Sequence, residues 1–198
     1  MMFFQDGQFP RCGKIIRSRI LNLDRSSRIF LAFIECCEDA RIAYKAFSPG
    51  TYPKVVIRPL PPSNMMIPQG IYNGHCVGGS LNEIAVHTDT ARGLENDDDW
   101  EDYLHQSSNF EKVVLHEAVH WARFVGGKPG EIDLTGKKNL RSGERKTAEA
   151  GSWFDFRAFG IPYSYHGALD CKYGERTLEE ALAEERGRVK RKKKGSPS

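Results

Sequence analysis

The sequence predicts an α+β fold that is mostly helical and contains a small sheet. Several segments repeat apolar residues at the spacing of an amphipathic helix, and one ten-residue segment alternates them as a strand does. The length of 198 residues fits one globular domain, which we expect over residues 1–185 with its core at about 80–165. No apolar run approaches the roughly 20 residues that cross a bilayer, and residues 1–13 do not resemble a secretory signal.

The formal net charge of +3 is unevenly distributed along the chain. Residues 186–198 carry seven basic side chains and no acidic one, so residues 1–185 are mildly acidic. We expect a solvated, disordered tail, although such a segment could also contact nucleic acid or anionic lipid. The five cysteines are odd in number and form no C-x-x-C pair, which argues against a disulfide scaffold and against a zinc ribbon.

The first half of the chain predicts one helix and one short strand. Apolar residues recur on a helical period over residues 25–47, and Ser-Pro-Gly at 48–50 ends that helix. Residues 54–57 are a strand candidate inside a connector over 51–79 that is rich in proline and glycine.

The middle of the chain predicts a strand followed by an acidic segment. Residues 81–90, LNEIAVHTDT, alternate between two faces and should form a strand. Acidic side chains then surround Trp100 over residues 97–102. A calcium loop is one interpretation, but the spacing and the glycine of an EF-hand are absent, so the start of a short helix explains the run better.

Helices should dominate the second half. The best-marked helix runs from about 109 to 125, with Ser108 and Glu111 as a capping box and a Gly-Gly pair after its end. A further helix is expected at about 144–159, and a last, charged helix should begin at Thr177.

The residues best suited to metal binding and catalysis lie in the pattern His-Glu-Ala-Val-His at 116–120. His116 and His120 lie one helical turn apart, so their rings can converge on one metal ion at Zn–N distances of about 2.0–2.1 Å. Glu117 lies about 100° round the helix, where it can act as a general base on a water rather than as an ordinary third ligand. A pair of structural core histidines is the alternative interpretation.

A catalytic zinc site needs a third protein ligand, and no histidine follows at the short spacing of H-E-x-x-H-x-x-G-x-x-H. The candidates are carboxylates that follow in the chain: Glu131, Asp133, Glu144, Glu149 and Asp155. On its predicted helix, Glu149 shares a face with Trp153 and Phe156, so it would point into an apolar layer where a cation compensates the buried charge. The alternative for Glu149 is an ion pair with Arg145 or Arg123.

The stretches VVLHEAVHWARF and TAEAGSWFDFRAFG resemble the zincin metallopeptidases of the glutamate-ligand type. They are most similar to the small toxin-effector peptidases found as C-terminal extensions of type VI secretion spike proteins. The resemblance covers about residues 80–165. It implies a Zn²⁺ ion held by His116, His120 and Glu149, with Glu117 as the catalytic acid/base.

The resemblance also implies how ligands and substrate are held in a zincin-like domain. Many relatives place an aspartate four residues after the glutamate ligand, where this chain has Trp153, and Asp155 would be only a weak substitute. In zincins an edge strand lies over the HExxH helix and takes the substrate as an added strand, and residues 81–90 would be that strand. His87 within it would face solvent or line the cleft.

The implied reaction is the hydrolysis of a peptide bond in a protein or peptide substrate. Zinc lowers the pKa of a water toward 7, and Glu117 accepts the proton and passes it to the leaving amine. A second electrophile would stabilise the oxyanion, and we favour His166 over Tyr163, Tyr165 and Arg157.

The resemblance further implies an antibacterial or host-directed toxin effector. It would be made in the cytoplasm, exported without a signal peptide, and active in the periplasm or cytosol of a target cell. A secretion spike or carrier and an immunity protein would be its partners. Two other functions stay open: a DNA-associated zinc protease that uses the basic tail, and a non-catalytic zinc-containing binding module. The acidic body argues against nucleic acid as a partner.

Overall fold

The fold is α+β and mostly helical, as the sequence predicts. The computed structural model describes residues 3–4, 7–48, 53–60, 70–72, 82–96, 98–135 and 147–160. The helices are Pro10–Ile15 (α1, continued by a π-helical turn at Ile16–Ile20), Arg28–Cys37 (α2), Ala40–Ala46 (α3), Thr88–Asn96 (α4), Trp100–Val125 (α5) and Ala150–Phe159 (α6). The strands are Phe3–Phe4 (β1), Lys54–Arg58 (β2), Gly70–Tyr72 (β3), Glu83–His87 (β4), Glu131–Asp133 (β5) and Thr147–Glu149 (β6). None of these helices combines the length and the apolar character needed to cross a membrane.

Strand β4 lies in the middle of the larger sheet, whose order is β1-β2-β4-β3. It pairs in parallel with β2, the strand predicted at 54–57, and antiparallel with β3. The prediction that residues 81–90 form the edge strand is therefore wrong, and β3 occupies the edge. Residues 84–87 are all buried, as in a strand covered on both faces, and residues 88–90 already belong to α4.

The helix predicted over residues 25–47 is interrupted in the structure. Glu38 adopts a left-handed backbone conformation with φ of 56°, which ends α2. Asp39 then starts α3, because its carboxylate accepts hydrogen bonds from the backbone N–H groups of Arg41 and Ile42. The chain turns here, so α2 and α3 pack against each other as separate helices.

Helix α5 is one continuous helix of 26 residues, longer at its N-terminus than predicted. Its N-cap is Asp99, whose carboxylate accepts from the backbone N–H groups of Glu101 and Asp102. The acidic run thus lies at the start of a helix, as expected. The short helix predicted there and the helix predicted over residues 109–125 are, however, one continuous element. Ser108 and Glu111 sit inside α5 and do not cap it, since the backbone donors there are bonded within the helix.

Helix α6 is shorter than the predicted helix over 144–159. Residues 147–149 form β6, which pairs antiparallel with β5 in the register Glu131↔Glu149. Residues 144–146, the helix expected from 177, the domain limit at 185 and the basic tail lie outside the described residues.

The core is built around α5, which packs on α2, α4, α6, β3 and β4. Phe33 of α2 and Phe154 of α6 meet edge to face with ring centroids 5.9 Å apart. Arg157 of α6 pairs with Glu35 of α2, with 2.9 Å between Nε and Oε2. These contacts fix α6 against α2. Among the described residues, Cys12, Cys36 and Cys37 are buried free thiols.

The start of α5 is testable with two substitutions. We expect Asp99→Ala to lower the free energy of unfolding by about 1 kcal/mol, because two backbone N–H groups lose their acceptor. The matched variant Ser108→Ala should change it by less than about 0.5 kcal/mol, since Ser108 lies within the helix. Urea unfolding measures both, and a larger loss for Ser108→Ala than for Asp99→Ala would contradict the described helix start.

Candidate metal centre

Three side chains from two parts of the fold converge at one point. His116 and His120 project from the same face of α5, with ring centroids 5.2 Å apart. Glu149, the last residue of β6, places Oε1 at 2.7 Å from Nε2 of His120 and Oε2 at 3.8 Å from Nε2 of His116. One donor atom from each residue lies within 4.8 Å of the other two, and no other such group of His, Cys, Asp or Glu occurs in the described part of the chain.

Glu149 reaches the histidines from the N-cap of α6. Its Oε1 accepts from the backbone N–H of Gly151 at 2.7 Å, and its Oε2 accepts from that of Ser152 at 2.6 Å. The positive end of the helix dipole faces the same carboxylate and stabilises its charge. Each carboxylate oxygen has a second lone pair, so both oxygens can still bind a cation. The capping bonds therefore fix the carboxylate without using up its donor capacity.

The geometric reason for which the sequence favoured Glu149 is wrong, although the residue lies beside both histidines. It does not share a helical face with Trp153 and Phe156, because α6 begins only after it. Its side chain is 42% exposed rather than buried in an apolar layer. Arg123 does not pair with it in the described contacts, and Arg145 and Glu144 lie outside the described residues.

The other carboxylate candidates take different positions. Glu131 and Asp133 are exposed on β5 and do not belong to the group of three donors, although Glu131 lies opposite Glu149 in the strand pair. Asp155 places Oδ2 at 3.0 Å from Nδ1 of His116. The expectation that Asp155 is a weak substitute for an aspartate four residues after Glu149 is contradicted by this contact, because one and a half turns of α6 bring residue 155 to the His116 ring. A His116 that donates from Nδ1 to Asp155 presents Nε2 to Glu149.

Two glycines permit close packing at the site. A Cβ atom at Gly151 would lie 2.4–2.5 Å from atoms of the His116 ring, so only glycine lets the ring rest against the start of α6. A Cβ atom at Gly70 would lie 2.6 Å from Cγ1 of Val113 and 3.0 Å from Cγ of Glu117. Neither glycine was predicted to lie at the site, since close packing between elements cannot be read from motif spacing.

Glu117 lies between α5 and the edge strand β3. It is 9% exposed, and its Cγ is near the backbone of Gly70. The carboxylate contributes to the negative potential that acts on His116. Glu117 lies next to the donor group but does not belong to it, which is the position expected of a proton acceptor.

The neighbouring groups favour the charged forms of both His116 and Glu149. Burial disfavours the charged form of His116, but the hydrogen bond to Asp155 and the charges of Asp155, Glu117 and Glu149 outweigh it and raise its pKa to about 9. Burial likewise disfavours ionised Glu149, yet the hydrogen bond to His120 and the two imidazoles hold its pKa far below the ordinary value. The carboxylates thus favour a positive charge at His116, which is either a proton or a metal ion that displaces the proton from Nε2.

Other residues considered from the sequence lie elsewhere. His166, Tyr163 and Tyr165 fall outside the described residues. Arg157 is paired with Glu35, so its guanidinium is directed toward α2. His87 is buried, and its Nδ1 accepts from the backbone N–H of Asp89, which contradicts a solvent-facing role.

A model of the family metallopeptidase toxin 3 matches residues 5–160, a range that includes all the residues of the donor group. The chain belongs to this metallopeptidase toxin family. Comparisons with curated proteins and with solved structures give no match. Family membership confirms the expected resemblance to toxin peptidases and supports a peptidase that depends on a metal and acts on protein. The two imidazoles and the carboxylate are a donor set that suits such a metal.

The contact at Gly151 yields a prediction about stability. We expect Gly151→Ala to lower the free energy of unfolding by about 1–3 kcal/mol, because the His116 ring must move away and give up its hydrogen bond to Asp155. The matched control is Gly130→Ala, where a Cβ atom meets nothing within 4 Å, and its change should stay within about 0.5 kcal/mol. Equal effects of the two substitutions in chemical denaturation would contradict the described packing.

Proposed function

We propose that the protein is a zinc-dependent endopeptidase of the zincin type. In this proposal His116, His120 and Glu149 bind Zn²⁺, and Glu117 is the general base. The observation that carries it is the approach of Glu149 to both histidines of one H-E-x-x-H helix, with 2.7 Å and 3.8 Å to their Nε2 atoms.

The donor set supports zinc and a catalytic rather than a structural site. Two imidazole nitrogens and one carboxylate oxygen are a known ligand set of catalytic zinc, whereas structural sites use four protein ligands that are mostly cysteines. The buried cysteines Cys12, Cys36 and Cys37 do not belong to the donor group. When bound, zinc supplies Lewis acidity that polarises the scissile carbonyl and acidifies the attacking water.

The chain's own residues supply the proton transfer and the orientation. Glu117 is largely buried beside the donor group, where it can accept a proton from the attacking water and deliver it to the leaving amine. Asp155 accepts a hydrogen bond from the Nδ1–H of His116 and would keep its Nε2 directed at a bound metal. The N–H groups of Gly151 and Ser152 hold Glu149 in place.

The edge strand β3 is the proposed docking site for the substrate backbone. It is the last strand in the sheet order, and within the described residues no strand pairs with its outer edge. Gly70 of β3 packs against Val113 and Glu117 of α5. A peptide added as a further strand would therefore pass beside Glu117, with main-chain hydrogen bonds holding it.

The toxin family supports a role in attack on other cells. We propose that the protein cleaves a protein of the target cell, that a secretion spike or carrier delivers it, and that an immunity protein protects the producer. Oxyanion stabilisation by His166 also belongs to this proposal. Family membership supports the attack on a protein of another cell, and that protein is to be identified by its cleavage.

The role of Glu117 is tested by Glu117→Gln. The variant should bind one zinc ion per chain as the unmodified protein does, and it should lose about 10²- to 10⁴-fold in peptidase activity, because the amide cannot accept the proton. Metal content and the rate of cleavage of a general protein substrate measure the two effects. Glu101→Gln, on the exposed first turn of α5, is the matched control and should leave both unchanged.

The same assay tests the ligands. His116→Ala and Glu149→Gln should lose zinc and activity together. Full activity of Glu117→Gln, or full zinc content in both ligand variants, would overturn the proposed mechanism.

Asp155→Asn tests the orientation of His116. The zinc affinity should fall about 10- to 100-fold, because the neutral amide holds the Nδ1–H form of the ring less firmly. Asp98→Asn, whose carboxylate is 96% exposed and pairs with Arg11, is the control and should keep the original affinity. Competition with a chelating dye measures both, and an unchanged affinity in Asp155→Asn would contradict this role.

A further inference from the structure

Arg123 is a buried charge one helical turn beyond His120. Its side chain is 2% exposed, yet it carries a full positive charge. Nε donates to the carbonyl oxygen of Pro129 at 2.7 Å, and Nη2 donates to that of Glu131 at 2.8 Å. Nη1 donates to the carbonyl oxygen of Cys36 and pairs with Oε1 of Glu38 at 3.3 Å.

Two of the three carbonyl groups that Arg123 binds, those of Pro129 and Glu131, belong to the segment that supports Glu149. Pro129 and Glu131 flank Gly130, whose carbonyl oxygen accepts from the backbone N–H of Ala150 at 3.0 Å. Glu131 is also the register partner of Glu149 in the β5–β6 pair. Residues 129–131 thus hold the chain on either side of the Glu149 side chain.

These contacts form a closed ring of interactions. The ring runs from His120 along α5 to Arg123, from Arg123 to residues 129–131, across to Glu149, and from Glu149 back to His120. We propose that Arg123 is the positioning residue that holds Glu149 at metal-binding distance from the two histidines. This inference rests on the proposed zinc site and adds to it a residue that does not contact the metal.

The Nη1 side of the Arg123 guanidinium is held in place as well as the side formed by Nε and Nη2. Glu38, which has the positive φ, forms ion pairs with Nη1 of Arg123 at 3.3 Å and with Nζ of Lys128 at 3.5 Å. The guanidinium is therefore held between α2 and residues 129–131, and it cannot turn without breaking bonds to both. Planar, directional donors suit this task better than the single ammonium group of lysine.

A purely stabilising role would not need an arginine at this place. Replacement of a buried ion pair by apolar residues is often neutral for stability, because desolvation of the charges offsets their attraction. An apolar side chain could fill the space, but it could not align two carbonyl groups on one side and one on the other. The guanidinium therefore adds the directional alignment of residues 129–131, which pair with the segment that bears Glu149.

The test compares Co²⁺ binding by the full chain and by its Arg123 variants. Co²⁺ takes the place of zinc, and its visible absorption reports ligand geometry. We expect Arg123→Gln and the milder Arg123→Lys to raise the Kd for Co²⁺ at least about tenfold and to change the absorption band, because Glu149 is displaced. Arg123→Lys keeps the charge next to Glu38 and provides the test where Arg123→Gln does not fold.

A destabilised control separates positioning from stability. Ile20→Ala removes a fully buried side chain from the π-helical turn and should lower stability while keeping the Kd and the band of the unmodified protein. A folded Arg123→Lys with an unchanged Kd and band would overturn the inference alone. Absence of a 1:1 metal complex in the unmodified protein would overturn the proposed zinc site, and this inference with it.

Discussion

The structure depends on one carboxylate that serves two elements at once. Glu149 ends β6 and begins α6, and its two oxygens meet two backbone N–H groups on one side and two imidazoles on the other. The helix start and the donor group therefore cannot move independently. Glu149 caps the first turn of α6 and belongs to the donor group, so the folding of this turn is linked to the geometry of the site.

The remaining fold keeps the partners of this carboxylate in place. The long helix α5 carries both histidines and Glu117, so their relative positions follow from helix geometry alone. Contacts between Phe33 and Phe154, together with the Arg157–Glu35 pair, anchor α6 on α2. The short strand β3 approaches α5 closely at Gly70, which places a sheet edge directly beside Glu117.

Features that depend on one helix or strand could be predicted from the sequence. Features that depend on how strands pair could not. His116 and His120 lie within about one turn of one helix, so their relative position can be predicted without knowledge of the fold. The position of β4 inside the sheet depends on β3, whose three residues are too few for a periodic pattern. The pattern formed by Ser108 and Glu111 looks like a cap, but the same residues fit the middle of a helix equally well.

The surroundings of Glu149 show the same limit at the site. A helical period that continued through residue 149 predicted an inward face, whereas the chain there is still a strand. Once α6 begins at Ala150, Asp155 rather than a residue at 153 reaches His116, and Gly151 becomes the point of contact with its ring. Neither result follows from motif spacing, because both depend on the hydrogen bonds that place the first residue of the helix.

A crystal structure of the zinc-loaded protein, with an anomalous difference map at the zinc edge, tests the central claim most directly. The account predicts one anomalous peak, with Nε2 of His116 and of His120 at about 2.0–2.1 Å and a carboxylate oxygen of Glu149 at about 2.0–2.2 Å. A peak that lacks Glu149 as a ligand, or one bound by four protein side chains, would contradict it.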